Sequence, residues 1–393
     1  VALLWALMAP PALAKEPEPG AVLAELPFLE RGAPGEVFVD LAPPGSRRRL
    51  PLQLDTGASS SALSPDLARE LGIRERGRPG RSHRRATRLG RDLEFFVAEG
   101  SSPVAFGLLG GNFLRHYVVE IDWAARRVRF LDPERFEVPE TTTDAEQSVL
   151  ATRLVGNRPL VEILVAGRPL SVLLDTGATF GLTLGPEEAE ARGLESQPAP
   201  GLHAVGAHGP IEIEFVELEA VVLGSIRFEG VPAVVAPRGL RQQATSNDSL
   251  LGQDLLATSL LRIDYPRARV WLRPRSGARP RFLGASWAEV RRSGALLYRR
   301  GRRIQVGVVL PDRPAAALGL APGDVLEEVD PRASDFDPRE AHARLASGAA
   351  IRVRRIDERG RERVLTLGPL ASSGRSAAGS ERGADAPTPG LGD

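Results

Sequence analysis

The stretch Leu50-Pro51-Leu52-Gln53-Leu54-Asp55-Thr56-Gly57-Ala58-Ser59-Ser60 decides the fold. It reads as a short apolar strand that carries an acid into a tight turn of small residues. Nearly the same sequence is repeated at Leu173-Leu174-Asp175-Thr176-Gly177-Ala178-Thr179. An acid at the end of an apolar strand is costly unless hydrogen bonds, water or a partner receive it. Two such elements, about 120 residues apart, indicate a duplicated unit whose acids Asp55 and Asp175 are used together.

A single Asp-Thr-Gly segment would favour an ordinary turn, because Asp bonds its own backbone and Gly allows positive φ. The matching surroundings of the two copies favour a shared role instead. Each copy is followed by the start of a helix, at Ser64-Pro65 and at Gly185-Pro186, where Pro suits the first helical position. We expect the helices to end at Gly72 and Gly193, since Gly fits a C-terminal cap.

A second pair of repeats follows the first. Leu108–Leu114 runs on to Val119–Trp123, and Leu250–Leu256 runs on to Leu261–Tyr265. Each half therefore carries Asp-Thr-Gly-Ala first and Leu-Leu-Gly later. These four motifs, in this order, resemble the retropepsin-like aspartic proteases over roughly residues 36–275, with both lobes on one chain as in the pepsin-like arrangement.

The resemblance implies a mostly β fold of two retropepsin-like β-barrel lobes that arose by internal duplication. We expect lobe one at residues 36–140 and lobe two at 151–276, joined by a polar connection at 141–150. Residues 15–35 contain several Pro and Glu and are predicted to be a lead-in linker.

The resemblance also implies the chemistry of the site. Asp55 and Asp175 would be the catalytic acids, and because two adjacent carboxylates cannot both be charged cheaply, they would share one proton. The implied supporting residues are Thr56, Gly57, Ala58, Thr176, Gly177, Ala178, Leu109, Gly110, Leu251 and Gly252. Ala58 and Ala178 stand where pepsins usually have a hydroxyl residue. Losing that donor should raise the pKa of the pair and extend activity toward neutral pH.

The two lobes differ in the region where the family places its flap, a hairpin that closes over the substrate. Asp55 lies 55 residues before Gly110, whereas Asp175 lies 77 residues before Gly252. Leu89-Gly90 aligns with Leu223-Gly224, so the deficit falls before that point. We expect a flap tip in lobe two at Val205, Gly206 and Gly209, and a reduced flap or none in lobe one.

A third unit is predicted at residues 282–370. The segment Pro314-Ala315-Ala316-Ala317-Leu318-Gly319-Leu320-Ala321-Pro322-Gly323-Asp324 resembles the bacterial PDZ domain, a small α+β fold in which it forms a short helix and a turn before a buried strand. By the same resemblance, a helix at Glu340–Ala346 would flank the peptide, and a carboxylate-binding loop would lie near Ala295–Tyr298.

Such domains bind extended chain ends by adding a strand to a sheet edge. The predicted peptide-binding residues are Leu296, Leu297, Ile304 and Val306. On this reading the unit recruits protein substrates and is not needed for the chemistry. The alternative is a purely structural cap on the protease.

Composition excludes several other classes of function. The 393 residues carry a formal net charge of +1, so nothing global points to nucleic acid. The chain has no Cys and five scattered His, which removes thiol nucleophiles and thiolate metal sites. We therefore expect no metal and no cofactor.

The chain ends carry their own signals. Val1–Ala14 is apolar, too short to span a bilayer, and ends in Ala12-Leu13-Ala14, which is typical of a secretory signal peptide. We expect an exported protein, periplasmic or secreted, with no stable membrane insertion. Residues 371–393 turn to Ser, Gly, Ala and Pro and are predicted to be a disordered tail.

Taken together, the sequence predicts a monomeric aspartic endopeptidase that acts on protein or peptide substrates, with a further peptide ligand at the PDZ domain. Two alternatives remain at this point. The first is a non-catalytic peptide-binding or adaptor protein on a protease scaffold. The second is a protease dedicated to its own processing or to one partner.

Overall fold

The computed structural model describes residues 16–29, 35–73, 81–98, 107–142, 146–206, 209–236, 249–277, 279–283, 285–300, 303–317, 319–328, 351–356 and 362–367. Within them the protein is mostly β, with 47% strand and a few short helices. The predicted signal peptide, the disordered tail and the Glu340–Ala346 helix lie outside the described residues. No helix in the described ranges has the length and apolar character needed to cross a bilayer.

The first half comprises, in chain order, β1 (Val22–Pro27), β2 (Phe38–Asp40), β3 (Pro51–Leu54), β4 (Ser61–Leu63), β5 (His83–Ala86), β6 (Asp92–Val97), β7 (Gly107–Leu109), β8 (Val118–Asp122) and β9 (Arg127–Leu131), with helices α1 (Pro65–Glu70) and α2 (Gly111–Leu114). The second half comprises β10 (Ser148–Leu150), β11 (Thr152–Val155), β12 (Arg158–Val165), β13 (Arg168–Leu174), β14 (Leu182–Leu184), β15 (Gln197–Gly206), β16 (Gly209–Leu223), β17 (Ile226–Val235), β18 (Leu250–Leu251), β19 (Ser259–Asp264) and β20 (Arg269–Pro274), with α3 (Pro186–Ala191) and α4 (Gln253–Leu256).

Each half folds around its own sheet, and the two sheets share one pattern of pairing. The strand order is β2-β3-β7-β4-β6-β5 in the first half and β11-β12-β13-β18-β14-β17-β16-β15 in the second. β3 pairs parallel with β7, β7 antiparallel with β4, and β4 parallel with β6. The strands β13, β18, β14 and β17 repeat these three pairings. The acids that follow β3 and β13 therefore occupy equivalent places.

The two predicted helices are present as α1 and α3. Ser64 caps α1, because its Oγ accepts a hydrogen bond from the N–H of Leu67 at 3.2 Å. Pro65 and Pro186 occupy first-turn positions in the two helices. Gly72 and Gly193 end the segments with φ of 77° and 63°, which a Gly adopts without strain.

A third sheet joins the halves, with the order β1-β9-β8-β19-β20-β10. The repeated segments meet in its middle, where β8 and β19 pair antiparallel. In that register Glu120 lies opposite Arg262, and both are about 2% exposed. Arg262 Nε donates to Glu120 Oε2 at 2.7 Å, and Arg129 Nη1 donates to Glu120 Oε1 at 3.1 Å.

This shared sheet corrects two sequence predictions. The segment predicted as a lead-in linker contains β1, which pairs with β9 and buries Leu26. The segment predicted as a polar connection contains β10, which pairs with β20. Both strands lie at the edges of the sheet, where Pro and polar residues are tolerated, so their composition resembled linkers. Their partners are also distant in sequence.

The C-terminal unit, residues 281–367, comprises β21 (Arg281–Phe282), β22 (Ala285–Ser286), β23 (Ala295–Arg300), β24 (Arg303–Val309), β25 (Val325–Glu328), β26 (Ile351–Ile356) and β27 (Glu362–Leu367), with α5 (Trp287–Ser293) and α6 (Pro314–Ala317). β23 to β27 form one antiparallel sheet in sequence order. The turn after α6 is closed by Asp324, whose Oδ2 accepts a hydrogen bond from Ala321 N at 2.7 Å. The predicted carboxylate-binding loop near Ala295–Tyr298 is wrong, because these residues form β23 and pair with β24.

Candidate active site

The Leu-Leu-Gly segments fix the backbone of both acids. Asp55 follows β3, and its N–H donates to the carbonyl of Leu109 at 3.1 Å. Asp175 follows β13, and its N–H donates to the carbonyl of Leu251 at 2.8 Å. Each parallel strand pair thus ends at a carboxyl group, with Asp175 buried and Asp55 partly buried.

The two Asp-Thr-Gly loops interlock through their threonines. The N–H of Thr56 donates to Thr176 Oγ1 at 3.1 Å, and the N–H of Thr176 donates to Thr56 Oγ1 at 3.0 Å. Each hydroxyl also donates across the interface, Thr56 to the carbonyl of Leu174 at 2.6 Å and Thr176 to the carbonyl of Leu54 at 2.7 Å. Both threonines are fully buried, so every one of these groups needs its partner.

Each loop's glycine faces the other loop's acid. A Cβ added at Gly57 would lie 2.5 Å from Asp175 Oδ2, and one added at Gly177 would lie 2.8 Å from Asp55 Cγ. Neither separation leaves room for a methyl group. The glycines therefore allow the two carboxyl groups to approach at the junction of the halves.

Both carboxyl groups are harder to ionise than a free aspartate. Burial, followed by the negative charge of Asp175, raises the pKa of Asp55 to about 8. Burial likewise raises the pKa of Asp175, opposed by hydrogen bonds from the N–H groups of Gly177 and Ala178. These two groups donate to Asp175 Oδ1 at 2.8 and 3.2 Å. In such a coupled pair, the charge on one acid opposes ionisation of the other.

The residues that follow each Leu-Leu pair pass beside the loops. The N–H of Gly111 donates to the carbonyl of Ala58 at 2.8 Å, and that of Gln253 donates to the carbonyl of Ala178 at 2.9 Å. A Cβ at Gly110 would lie 2.6 Å from the carbonyl carbon of Ser60, and one at Gly252 would collide with the carbonyl oxygen of Phe180. Glycine is required at both places for this close backbone approach.

Three residues that sequence reasoning missed lie near the acids. The Nε2 of Gln253 donates to the carbonyl of Thr176, a position that Gly111 occupies in the other half. The charge of Arg158 lowers the pKa of Asp175, and the side chain is almost fully buried. Tyr265 is buried near Asp55, and burial together with that charge raises its pKa well above the usual value. Only Gln253 had a visible signal, the difference between the aligned repeats.

The predicted flap residues form the end of a long hairpin. β15 and β16 pair with Val205 opposite Pro210 and Gly206 opposite Gly209. The tip itself, residues 207–208, lies outside the described residues. In the first half β6 corresponds to β17, since each pairs parallel with the strand that follows the acid loop. β5 corresponds to β16, since each pairs antiparallel with that strand's neighbour, β6 or β17. The described part of that half contains no strand equivalent to β15, and residues 74–80 lie outside the description.

The four predicted peptide-binding residues are buried in the C-terminal unit. Leu296, Leu297, Ile304 and Val306 are at most 2% exposed. Leu296 packs against the second half, and the other three form the interior of the unit. Their side chains therefore serve packing, which corrects the prediction that they contact a peptide. Among the described residues, no cluster of three or more acidic or His side chains could hold a metal ion.

Several solved structures are similar to parts of the chain. A retropepsin-like aspartic protease from Rickettsia conorii is 23% identical, covering 32% of this chain and 89% of that one, with a TM-score of 0.25. Basic 7S globulin from soybean is 13% identical, covering 63% and 94%, with a TM-score of 0.36. EIAV protease complexed with the inhibitor HBY-793 is 23% identical, covering 25% and 85%, with a TM-score of 0.20. No curated protein matches the chain.

Residues 161–255 match the model of a family described as aspartyl protease. The matched segment contains the Asp175 loop, the β15–β16 hairpin and the second Leu-Leu-Gly. This match supports an aspartyl protease. Asp55 lies outside the matched segment, so its pairing with Asp175 is a finding of the structure.

Proposed function

We propose that the protein is an aspartic endopeptidase in which Asp55 and Asp175 together activate a water molecule. The observation that supports this most directly is the mutual approach of the two loops, with each glycine against the opposite acid. A purely structural turn would have no need for two acids in a site that raises the pKa of both.

In the proposed reaction the charged carboxylate accepts a proton from water as the water oxygen bonds to the peptide carbonyl carbon. The protonated carboxyl donates its proton to the carbonyl oxygen. The tetrahedral intermediate then breaks its C–N bond: one of its hydroxyl groups returns a proton to the second carboxylate as the carbonyl re-forms, and the departing amine receives the proton that the first carboxylate had taken. Backbone N–H groups donate to both acids, those of Gly177 and Ala178 to Asp175 and that of Ala58 to Asp55, so the acid and base roles belong to the pair.

We further propose that the two halves are lobes derived from one duplicated unit. The repeated order of parallel and antiparallel pairings supports this, as does the meeting of the second repeats at β8 and β19. The hairpin β15–β16 would close over a flexible peptide from the side of the second lobe. The C-terminal unit would be a PDZ-type domain that takes an extended chain at the edge strand β23. Export from the cytoplasm remains part of the proposal.

Digestion of casein and of a mixed peptide library between pH 4 and 8 tests the proposal. Wild type should cut both, a pepstatin-like compound should inhibit, and Asp55→Asn should be inactive. Asp66→Asn is the matched control, because Asp66 lies in an exposed first turn of α1 and should leave activity unchanged. Folded wild-type protein that binds peptides without cutting them would identify the scaffold as a binding protein. Cleavage of the purified protein alone would identify self-processing.

A further inference from the structure

The C-terminal unit is packed into the second lobe rather than tethered to it. A cluster of buried side chains crosses the boundary and includes Phe180, Leu202 and Phe215 from the second lobe and Phe282, Trp287 and Leu296 from the C-terminal unit. The members from β15 and β16 lie at the base of the proposed flap hairpin. The C-terminal unit therefore completes the surface on which that hairpin rests.

Phe282 is the centre of this cluster. Its ring lies 5.5 Å from the ring of Phe180, 5.5 Å from that of Phe215 and 5.7 Å from that of Trp287, measured between centroids. Phe180 follows the Asp175 loop directly, and Phe215 belongs to the hairpin strand β16. One fully buried side chain of the C-terminal unit thus contacts both the segment after the Asp175 loop and the hairpin strand β16.

A second link is polar. The N–H of Leu283 donates to Asp254 Oδ2 at 2.6 Å, and the N–H of Asp254 donates to the carbonyl of Thr179 at 3.1 Å. Leu283 has a φ of 51°, which is rare for a bulky residue and directs this N–H at the buried carboxylate. Backbone strain at such a place is retained where the surroundings require it. These two hydrogen bonds in series connect the C-terminal unit to the loop that carries Asp175.

The third link is steric. A Cβ added at Gly307 of β24 would lie 2.8 Å from Leu202 Cδ2 of β15 and 3.0 Å from its Cγ. Gly307 is not among the glycines with positive φ, so close packing is what requires glycine there. Nearby, Glu217 of β16 accepts a hydrogen bond from Trp287 Nε1 at 3.4 Å and forms an ion pair with Arg291, whose Nε lies 3.1 Å away.

We infer that the C-terminal unit is a positioning element for the active site, which fixes the flap hairpin through Phe282 and Gly307 and the Asp175 loop through Leu283. This rests on the proposed function and changes one expectation drawn from the sequence. Truncation before residue 281 should impair cleavage even of short peptides, because it removes the packing beneath the hairpin. Recruitment of long substrates would be an additional role.

Full-length Gly307→Ala tests the inference with one added methyl group. We expect about a tenfold loss of kcat/KM on a six-residue peptide, since small displacements of positioning groups cost this much or more. We also expect faster hydrogen exchange in Gln197–Gly206 and in residues 175–180. Adding Leu202→Ala removes the two nearest atoms and leaves Tyr298 Cε1 at 3.1 Å from the new Cβ, so it should restore both readouts in part. Gly20→Ala is the matched control, because its Cβ would meet only Arg135 Nη1 at 3.4 Å.

The two readouts separate the possible failures. Hydrogen exchange decides the inference whether or not the protein cuts peptides. If Gly307→Ala alters exchange only within the C-terminal unit, the inference is overturned, even when wild type is an active protease. If exchange changes as expected while wild type cuts no peptide, the positioning contact stands and the proposed function fails. A second pair of variants tests the polar link. Asp254→Ala should lose the hydrogen-exchange protection of residues 175–180, whereas Asp254→Asn should keep it, because the oxygen of the amide can still accept a hydrogen bond from the N–H of Leu283.

Discussion

Thr56 and Thr176 each accept a hydrogen bond from the other's backbone N–H, at 3.0 and 3.1 Å. Each hydroxyl therefore serves two partners in the opposite half, one N–H and one carbonyl oxygen. The exchange is symmetric and fully buried. It makes the geometry of one acid depend on the loop that carries the other.

Thr56→Ala should therefore impair both halves of the site. The buried N–H of Thr176 and the carbonyl of Leu174 would lose their partner, at a cost of about 1–3 kcal/mol each. We expect a lower free energy of unfolding in urea and a loss of peptide turnover. Thr56→Ser keeps the hydroxyl and is the matched control. Equal turnover in the Ala and Ser variants would contradict this account of the interlock.

The buried pair Glu120 and Arg262 predicts a second stability effect. Glu120→Gln removes the charge that faces Arg262 and Arg129 and so breaks two ion pairs within the shared sheet. Removing one partner of a buried pair typically costs about 3–5 kcal/mol. We expect a loss of that order in urea unfolding. Arg84→Gln, which breaks an exposed pair with Glu94, should change stability little. A small effect at Glu120 would show that solvent reaches this position.

The candidate site could be predicted from the sequence because Asp55 and Asp175 lie in nearly identical repeated motifs. The hairpin around Gly206 was also readable, as a length difference between the halves. Strand β1 was not, because its partner β9 lies about 100 residues away and its edge position tolerates Pro and Glu. Pairing between distant strands leaves no mark on a local pattern.

The packing of Phe282 on Phe180 is a second contact that the sequence could not predict. Phe282 lay at the predicted start of an independent domain, after a segment rich in Pro, Arg and Gly. A buried aromatic residue has the same local pattern whether it packs within its own domain or against another. Likewise, nothing in the text around Arg158 or Tyr265 marks the approach of these side chains to the acids.

The raised pKa of Asp55 predicts how stability depends on pH. The usual value for Asp is 3.8, and in the folded protein it is about 8, so between these values the folded state binds the proton and the unfolded state does not. The resulting stabilisation is present below about pH 4 and is lost as pH rises through 8, by up to about 1.4 kcal/mol per pH unit. Asp55→Asn has no such proton. Its stability relative to wild type should therefore increase from pH 4.5 to 7.5 in urea unfolding, and a constant difference would contradict the assignment.

A hydroxyl at position 58 should move the pH profile of activity. Backbone N–H groups of Ala58 and Gly57 already lower the pKa of Asp55, that of Ala58 through a 2.9 Å hydrogen bond to Oδ1, and Ala58→Ser would bring a further donor close to this carboxyl group. A donor favours the charged form and lowers the pKa. The alkaline limb of kcat/KM should shift to lower pH, while the Ala58→Gly control, which adds no donor, should leave it in place. A shift of the alkaline limb toward higher pH would contradict the proposal that a hydroxyl at position 58 lowers the pKa of the two acids.

The proposed active site is built within one chain, and paired variants can test this. The interlock of Thr56 with Thr176, the approach of Gly57 to Asp175 and the pairing of β8 with β19 all join unlike halves. A shared proton requires two ionisable acids in each site, so Asp55→Asn and Asp175→Asn should each abolish activity. Mixing the two inactive proteins should not restore it, because neither chain then contains an intact pair. If like halves paired between two chains, each single variant would retain one site with two aspartates. Substantial activity in either variant alone, together with a dimeric mass in solution, would exclude the single-chain arrangement.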